Sequence, residues 1–105
     1  MTAPNLLQEI KRRVAEVDPT AQVVLYGSFA RGDQGPDSDV DLLILLPEGE
    51  RVGYDQGMRI KSPLYDLERH TGRIISPLVY TRSEWFDRHK GTPFFYSVQT
   101  EGVTL

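Results

Sequence analysis

Gly27-Ser28-Phe29-Ala30-Arg31-Gly32-Asp33-Gln34-Gly35-Pro36-Asp37-Ser38-Asp39-Val40-Asp41 joins two apolar runs. The first, Val23 to Tyr26, reads as a short strand that ends at Gly27. The second, Leu42 to Leu46, is strictly apolar. Ten residues separate Ser28 from Asp39. Acids at i and i+2 on a strand point to the same face, because side chains alternate there. Asp39 and Asp41 would therefore stand side by side, repelling each other and losing solvation. A divalent cation between them removes that cost. The Gly-Ser turn offers the matching phosphate grip. Gly27 lets the backbone approach a phosphate where a Cβ would intrude. Ser28, opening a helical turn, presents a hydroxyl and a backbone N–H. Arg31 lies one turn on, placed to pair with the same triphosphate or with Asp37. Ser38 shapes the turn before the acids. The stretch reads as a metal–nucleotide site.

Outward from this centre, helical and strand periods alternate. Leu6, Leu7, Ile10, Val14 and Val17 recur at helical spacing, and Asp18-Pro19 stops them. Ser28 to Arg31 forms a helical turn broken by Gly32, and residues 33–38 form a loop. Val40 to Leu46 is the most apolar strand, and therefore central. Tyr54 to His70 carries Ile60, Leu64 and Leu67 on one helical face. Pro63 is expected to kink that helix or restart it with Ser62 as a new cap, and Gly72 to end it. Ile74 to Tyr80 is a third strand, with Pro77 suggesting a sheet edge. Ser83 and Thr92-Pro93 read as the caps of two short C-terminal helices, stopped by Gly91 and Gly102. The expected architecture is α/β (α+β), a small mixed β-sheet flanked by helices.

Bulk properties narrow the function classes. A chain of 105 residues fits one unit, 1–105, with a core of its own and nothing to spare for a second lobe. A formal charge of -3 argues against a surface that coats nucleic acid. With no cysteine, disulfides, thiolate metal sites and thiol nucleophiles are excluded. The N-terminal residues lack a signal-peptide core, and the apolar runs are too short to span a bilayer, so a cytoplasmic protein with no membrane contact is expected. His70 and His89 read as charge partners near helix ends. Trp85, Phe86, Phe94, Phe95 and Tyr96 read as core or interface, with a partner-binding patch as the lesser reading.

Gly27-Ser28, ten residues, then Asp39-Val40-Asp41 resembles the signature of the DNA polymerase β-like nucleotidyltransferase superfamily. The flanking Tyr26-Gly27-Ser28-Phe29-Ala30-Arg31-Gly32 and the short length resemble its minimal, MNT-type branch. The resemblance covers roughly residues 1 to 80. It implies a nucleotidyltransferase-fold core, a two-metal Mg²⁺ site and an NTP donor, with ATP the expected one. It also implies transfer of a nucleoside monophosphate to an acceptor hydroxyl. Asp39 and Asp41 would be the catalytic and metal-holding residues, and Gly27, Ser28 and Arg31 would bind nucleotide. The acceptor would come from a HEPN-type helical protein in a toxin–antitoxin setting, or from self-association. The family pattern also calls for a third carboxylate on the next strand. Arg73 to Tyr80 holds none, and Ser76 stands at the expected place. Asp55, Asp66 and Glu68, on the helix before it, are the nearest substitutes. The competing expectation is a degenerate nucleotide-binding or antitoxin-like interaction module.

Overall fold

The apolar run at the centre of the chain forms the buried middle of the sheet. In the computed structural model, which describes residues 2–105, every residue of strand β2 (Val40–Leu46) except Asp41 is buried. Met1 of the expected 1–105 unit lies outside the described residues. Helix α1 (Ala3–Val17) precedes strand β1 (Gln22–Tyr26), the single turn α2 (Ser28–Arg31) and β2. Helix α3 (Tyr54–Thr71), strand β3 (Ile75–Thr81), helices α4 (Arg82–His89) and α5 (Pro93–Glu101) and strand β4 (Val103–Thr104) follow. The strands run in the order β3-β2-β1-β4. β1 is antiparallel to both β2 and β4, and β3 is parallel to β2. The expected mixed sheet flanked by helices is the one observed, with β2 central and β3 at an edge.

Alternation along the strands divides the core in two. Val40, Leu42, Ile44 and Leu46 face α1 and α3, packing on Leu6, Ile10, Val14, Ile60, Leu64 and Leu67. Leu43 and Leu45 face α4 and α5, packing on Trp85, Phe95 and Val98. Trp85 and Phe95 thus belong to the core, whereas Phe86 and Tyr96 are 42% and 60% exposed. Among the described residues, no helix is long and apolar enough to cross a membrane.

Two local expectations are corrected. Helix α3 does not restart at Ser62 but runs as one element through Pro63. Ile60, Leu64 and Leu67 are all buried on one face, so packing outweighs the lost backbone bond. The α4 cap is Thr81, not Ser83: its hydroxyl accepts the Glu84 N–H, and the Glu84 carboxylate accepts the Thr81 N–H. This reciprocal pairing satisfies two donors at once. Glu84, buried, also accepts the Val52 N–H at 2.9 Å and so ties the β2–α3 loop to the end of β3.

Three of the four outward positions on the β3 edge offer no free backbone donor for further strand pairing. Ile74 accepts the Val40 N–H at 2.8 Å, so the backbone groups of Ile75, Pro77, Val79 and Thr81 turn outward. Glu68 takes the Ile75 N–H at 2.8 Å, Pro77 has none, and Glu84 takes that of Thr81. Proteins protect exposed edges by such means. Replacing Glu68 by Ala and Pro77 by Val together frees one donor and adds another. The double variant should self-associate more strongly than wild type in sedimentation velocity at rising concentration. Identical profiles would refute this account of the edge.

Candidate functional site

Three adjacent strands bring three polar side chains into one row. Tyr26 on β1 is the register partner of Asp41 on β2, and Asp41 is the register partner of Ser76 on β3. Register partners share a face, so the row lies on the α4/α5 side, at the end of the sheet where β1 finishes and β2 begins. Asp39 precedes β2 by one residue and lies two residues before Asp41. Beside Asp41, Gly27 adopts φ 75° and ψ −154°, a conformation that side chains other than glycine's disfavour. A Cβ there would overlap a carboxylate oxygen of Asp41. The Gly27 carbonyl accepts the N–H groups of Ala30 and Arg31, both at 3.1 Å, which folds Ser28–Arg31 into the turn α2. Gly32, at φ 77°, stops it. The chain thus gathers Gly27, Ser28, Asp39 and Asp41 at one sheet end.

Arg31 is placed differently from the expectation. Its Nε donates to Asp33 at 3.2 Å and its Nη1 to Glu101 at 3.0 Å, not to Asp37. These acids raise its pKa further above the ordinary arginine value, Glu101 first. Asp37 lies in the exposed loop, five residues beyond Gly32.

Burial raises the Asp41 pKa above the ordinary aspartate value, and the Asp39 charge raises it further, while Arg31 opposes both. Tyr26 is pushed up to about 12, by burial first and then by the charge of Asp41 and by Tyr80. It is therefore a neutral hydroxyl at physiological pH. The chain carries an electrostatic cost at Asp41 that a cation would relieve.

The donor set fits one hard divalent cation. Mg²⁺ is commonly held by one or two carboxylates, with substrate phosphates and waters completing its six ligands. Asp39 and Asp41 supply such a pair. The second ion of a two-metal site lacks its carboxylate: Ser76 stands opposite Asp41, and its neutral hydroxyl is a much weaker ligand. The suggested substitutes are engaged elsewhere. Glu68 caps the β3 edge, Asp66 pairs with Arg69, and Asp55 opens α3 after the far end of β2. Among the described residues, no group of three or more His, Cys, Asp or Glu side chains is arranged to hold a metal.

Sequence reasoning passed over Tyr26 and Glu101. Strand alternation from Asp41 through an antiparallel partner gives a signal for Tyr26. Glu101 meets Arg31 across 70 positions of sequence, and no local pattern announces such a contact. His89 is packed among Tyr80 and Trp85, with ring centroids 4.8 and 5.1 Å away. His70 contacts the Asp66 carbonyl one turn back at 2.8 Å.

Over residues 7–97 the chain matches the nucleotidyltransferase domain, and it belongs to that family. A relative from Methanocaldococcus jannaschii, MJ0141, provisionally named a protein adenylyltransferase, is 32% identical over 103 residues, covering 96% of each chain. A crystal structure of a provisionally named nucleotidyltransferase from Sulfolobus solfataricus matches with TM-score 0.60 and 26% identity. The match covers 95% of this chain and 76% of that one. A toxin–antitoxin crystal structure with AMP-PNP shares the fold at TM-score 0.61 and 17% identity, over 98% of this chain and 72% of that one.

The raised Asp41 pKa has a definite sign in stability. An acid whose folded pKa lies above its unfolded value is fully stabilising below the unfolded pKa and loses that contribution as pH rises through the folded one. At neutral pH the ionised Asp41 therefore costs stability. Asp41→Asn should raise the urea midpoint at pH 7 by an amount worth less than about 1 kcal/mol after solvent screening. The advantage should vanish below about pH 4, where unfolded aspartate itself protonates. A variant less stable than wild type at pH 7 and equally stable at low pH would contradict the assignment.

Proposed function

We propose that this chain is a Mg²⁺-dependent nucleotidyltransferase that moves the nucleoside monophosphate of an NTP, with ATP as donor, to a hydroxyl on a partner protein. The observation that carries this reading is the packing of the Gly27 backbone on the Asp41 carboxylate. A phosphate grip and a metal-binding acid are thereby held at one point, with Asp39 and Ser28 beside them. In the reaction the acceptor oxygen bonds to the α-phosphorus and the bridging bond to the β-phosphate breaks. Pyrophosphate leaves, and the hydroxyl proton passes to solvent.

In this reading Asp39 and Asp41 hold the cation, which when bound would neutralise phosphate charge and lower the pKa of the attacking hydroxyl. Ser28 and the backbone that follows Gly27 orient the phosphates. Arg31 exchanges its contact with Glu101 for a phosphate oxygen, a change of partner between two anions. The names of the relatives support adenylyl transfer to protein. The fold neighbour solved as a toxin–antitoxin complex with AMP-PNP supports an ATP-like donor and an acceptor on a partner chain. By the sequence resemblance, a HEPN-type helical protein is the partner to seek.

One observation favours a second reading. Ser76 occupies the register position opposite Asp41, where the family pattern calls for a carboxylate. A chain built this way binds Mg-NTP through two acids yet turns over slowly or not at all, acting by contact with its partner.

Calorimetric titration of ATP into the protein, first with Mg²⁺ and then with EDTA, tests the donor site. Binding should require the metal. Asp39→Asn with Asp41→Asn should reduce that affinity by about 100-fold or more, since both charged ligands are lost, while the fold is retained. Unchanged affinity in the double variant would sink the site. Separately, Ser76→Asp should tighten Mn²⁺ binding by roughly tenfold. An unaltered Mn²⁺ titration would show that position 76 does not face the metal.

A further inference from the structure

A single side chain outside the Gly27–Asp41 stretch touches both halves of the candidate site. Arg73 lies just before β3. Its Nη1 donates to the Pro36 carbonyl at 2.6 Å, in the loop that leads into Asp39. Its guanidinium carbon also lies 5.1 Å from the ring centroid of Phe29, the buried residue that follows Ser28 in α2. A guanidinium over an aromatic face is attracted by the ring's negative face, and more so where water is excluded. The side chain runs between two cavities. One of about 120 Å³ is lined by Pro36, Asp37, Ser38, Gly72, Arg73 and Ile74. The other, of about 220 Å³, is lined by Ala3, Leu6, Phe29 and Arg73.

We infer that Arg73 is a positioning residue, a strut that fixes the loop leading into Asp39 relative to the phosphate-gripping turn. The inference rests on the nucleotide reading above. The loop needs such a strut because its own bonds are mostly internal: Gly35 N–H to the Ser38 hydroxyl at 2.8 Å, and Ser38 N–H to the Gly35 carbonyl at 3.2 Å. These fold residues 35–38 into a turn but do not anchor it. Asp41 is held by the β1–β2 register and by Gly27, but Asp39 precedes the strand, and its distance from Ser28 depends on an outside contact to the loop. Arg73 provides that contact from β3, whose own place is set by the parallel register Val40↔Ile75 and Asp41↔Ser76. The planar guanidinium serves both tasks at once, since its edge donates while its face covers the ring. A lysine can keep the charge over Phe29 or reach the carbonyl, with less geometric constraint.

Arg73→Met keeps the apolar stem and removes both contacts, and Arg73→Lys is the conservative partner. Amide exchange tests the strut directly. In Arg73→Met the amides of Gly35 and Ser38, both hydrogen-bonded within the turn, should exchange roughly tenfold faster, while those of Val24 and Leu43 in the sheet keep the wild-type rate. Calorimetry should show Mg-ATP affinity weakened roughly 10- to 100-fold, the range for loss of a group that orients metal ligands. Arg73→Lys should recover most of both. Unchanged exchange at Gly35 and Ser38 overturns the strut. Faster exchange with Mg-ATP affinity within about twofold of wild type overturns its link to the site. If Arg73→Met fails to fold, the same two readouts on Arg73→Gln, which loses the charge and the planar fork, decide, with wild-type values in both overturning the strut. Wild-type protein that binds no Mg-ATP is a separate result. It removes the nucleotide reading, and this inference with it.

Discussion

The carboxylate of Asp41 lies against the Cα of Gly27, in space that even one methyl group would fill, and the register of the two central strands follows from that contact. Tyr26 opposes Asp41, and each residue further along β1 opposes one of Leu42 to Leu45. Because side chains alternate, a slip of one residue would turn Leu43 and Leu45 away from Trp85 and would also carry Asp41 to the other face. The core and the site therefore constrain each other. The apolar pattern that buries β2 on both faces aims Asp41, and the close approach at Gly27 confines where Asp41 can sit.

The acidic end of the sheet is costly without a cation. Asp41 is partly buried beside another carboxylate, and the nearby guanidinium of Arg31 is shared with Asp33 and Glu101. Both Arg31 ion pairs are substantially exposed, so each holds the side chain loosely. An anion that carries several charges competes well for a guanidinium held this way. The charge pattern thus suits a ligand that brings positive and negative charge together, which is the character of a metal–nucleotide complex.

Much of this arrangement was legible in the sequence, and the reasons differ by element. Strand β2 declared itself by the unbroken apolar run Leu42 to Leu46, between Asp41 and Pro47. The turn at Ser28–Arg31 was bounded by two glycines that both adopt positive φ. At Pro63 the sequence left a kink or a restart open; burial of Ile60, Leu64 and Leu67 on one face carries a single helix through it, which excludes the restart. The Thr81-x-x-Glu84 capping pattern was present and was overlooked for the nearer Ser83. Strand β4 has two residues and no periodicity to detect. Of the site, the local pieces (Gly27, Ser28, Asp39 and Asp41) were legible because their chemistry depends on short spacing. Arg31's partner Glu101 and the strut Arg73 were not, because contacts across 70 and 37 positions are products of the folded chain.

Strand β3 couples stability and chemistry in opposite directions. A third carboxylate at position 76 would stand beside Asp41 on one face and would add a second like charge to a group that burial and Asp39 already burden. A hydroxyl spares the metal-free protein that repulsion. The same neutrality deprives a second cation of its strongest ligand, so what favours the empty fold disfavours the loaded site. The rest of β3 is consistent with a strand shaped for the fold: Glu68, Pro77 and Glu84 between them remove three of the four donors on its outer edge. Glu68 and Glu84 are taken up in capping backbone donors, whereas Asp39 and Asp41 stand at the candidate site, with Asp33 and Glu101 on the nearby Arg31. Ser76 is thus a departure from the pattern that the sequence resemblance implies. In the proposed reading, the Gly27–Ser28 turn and the Asp39–Asp41 pair do not depend on it.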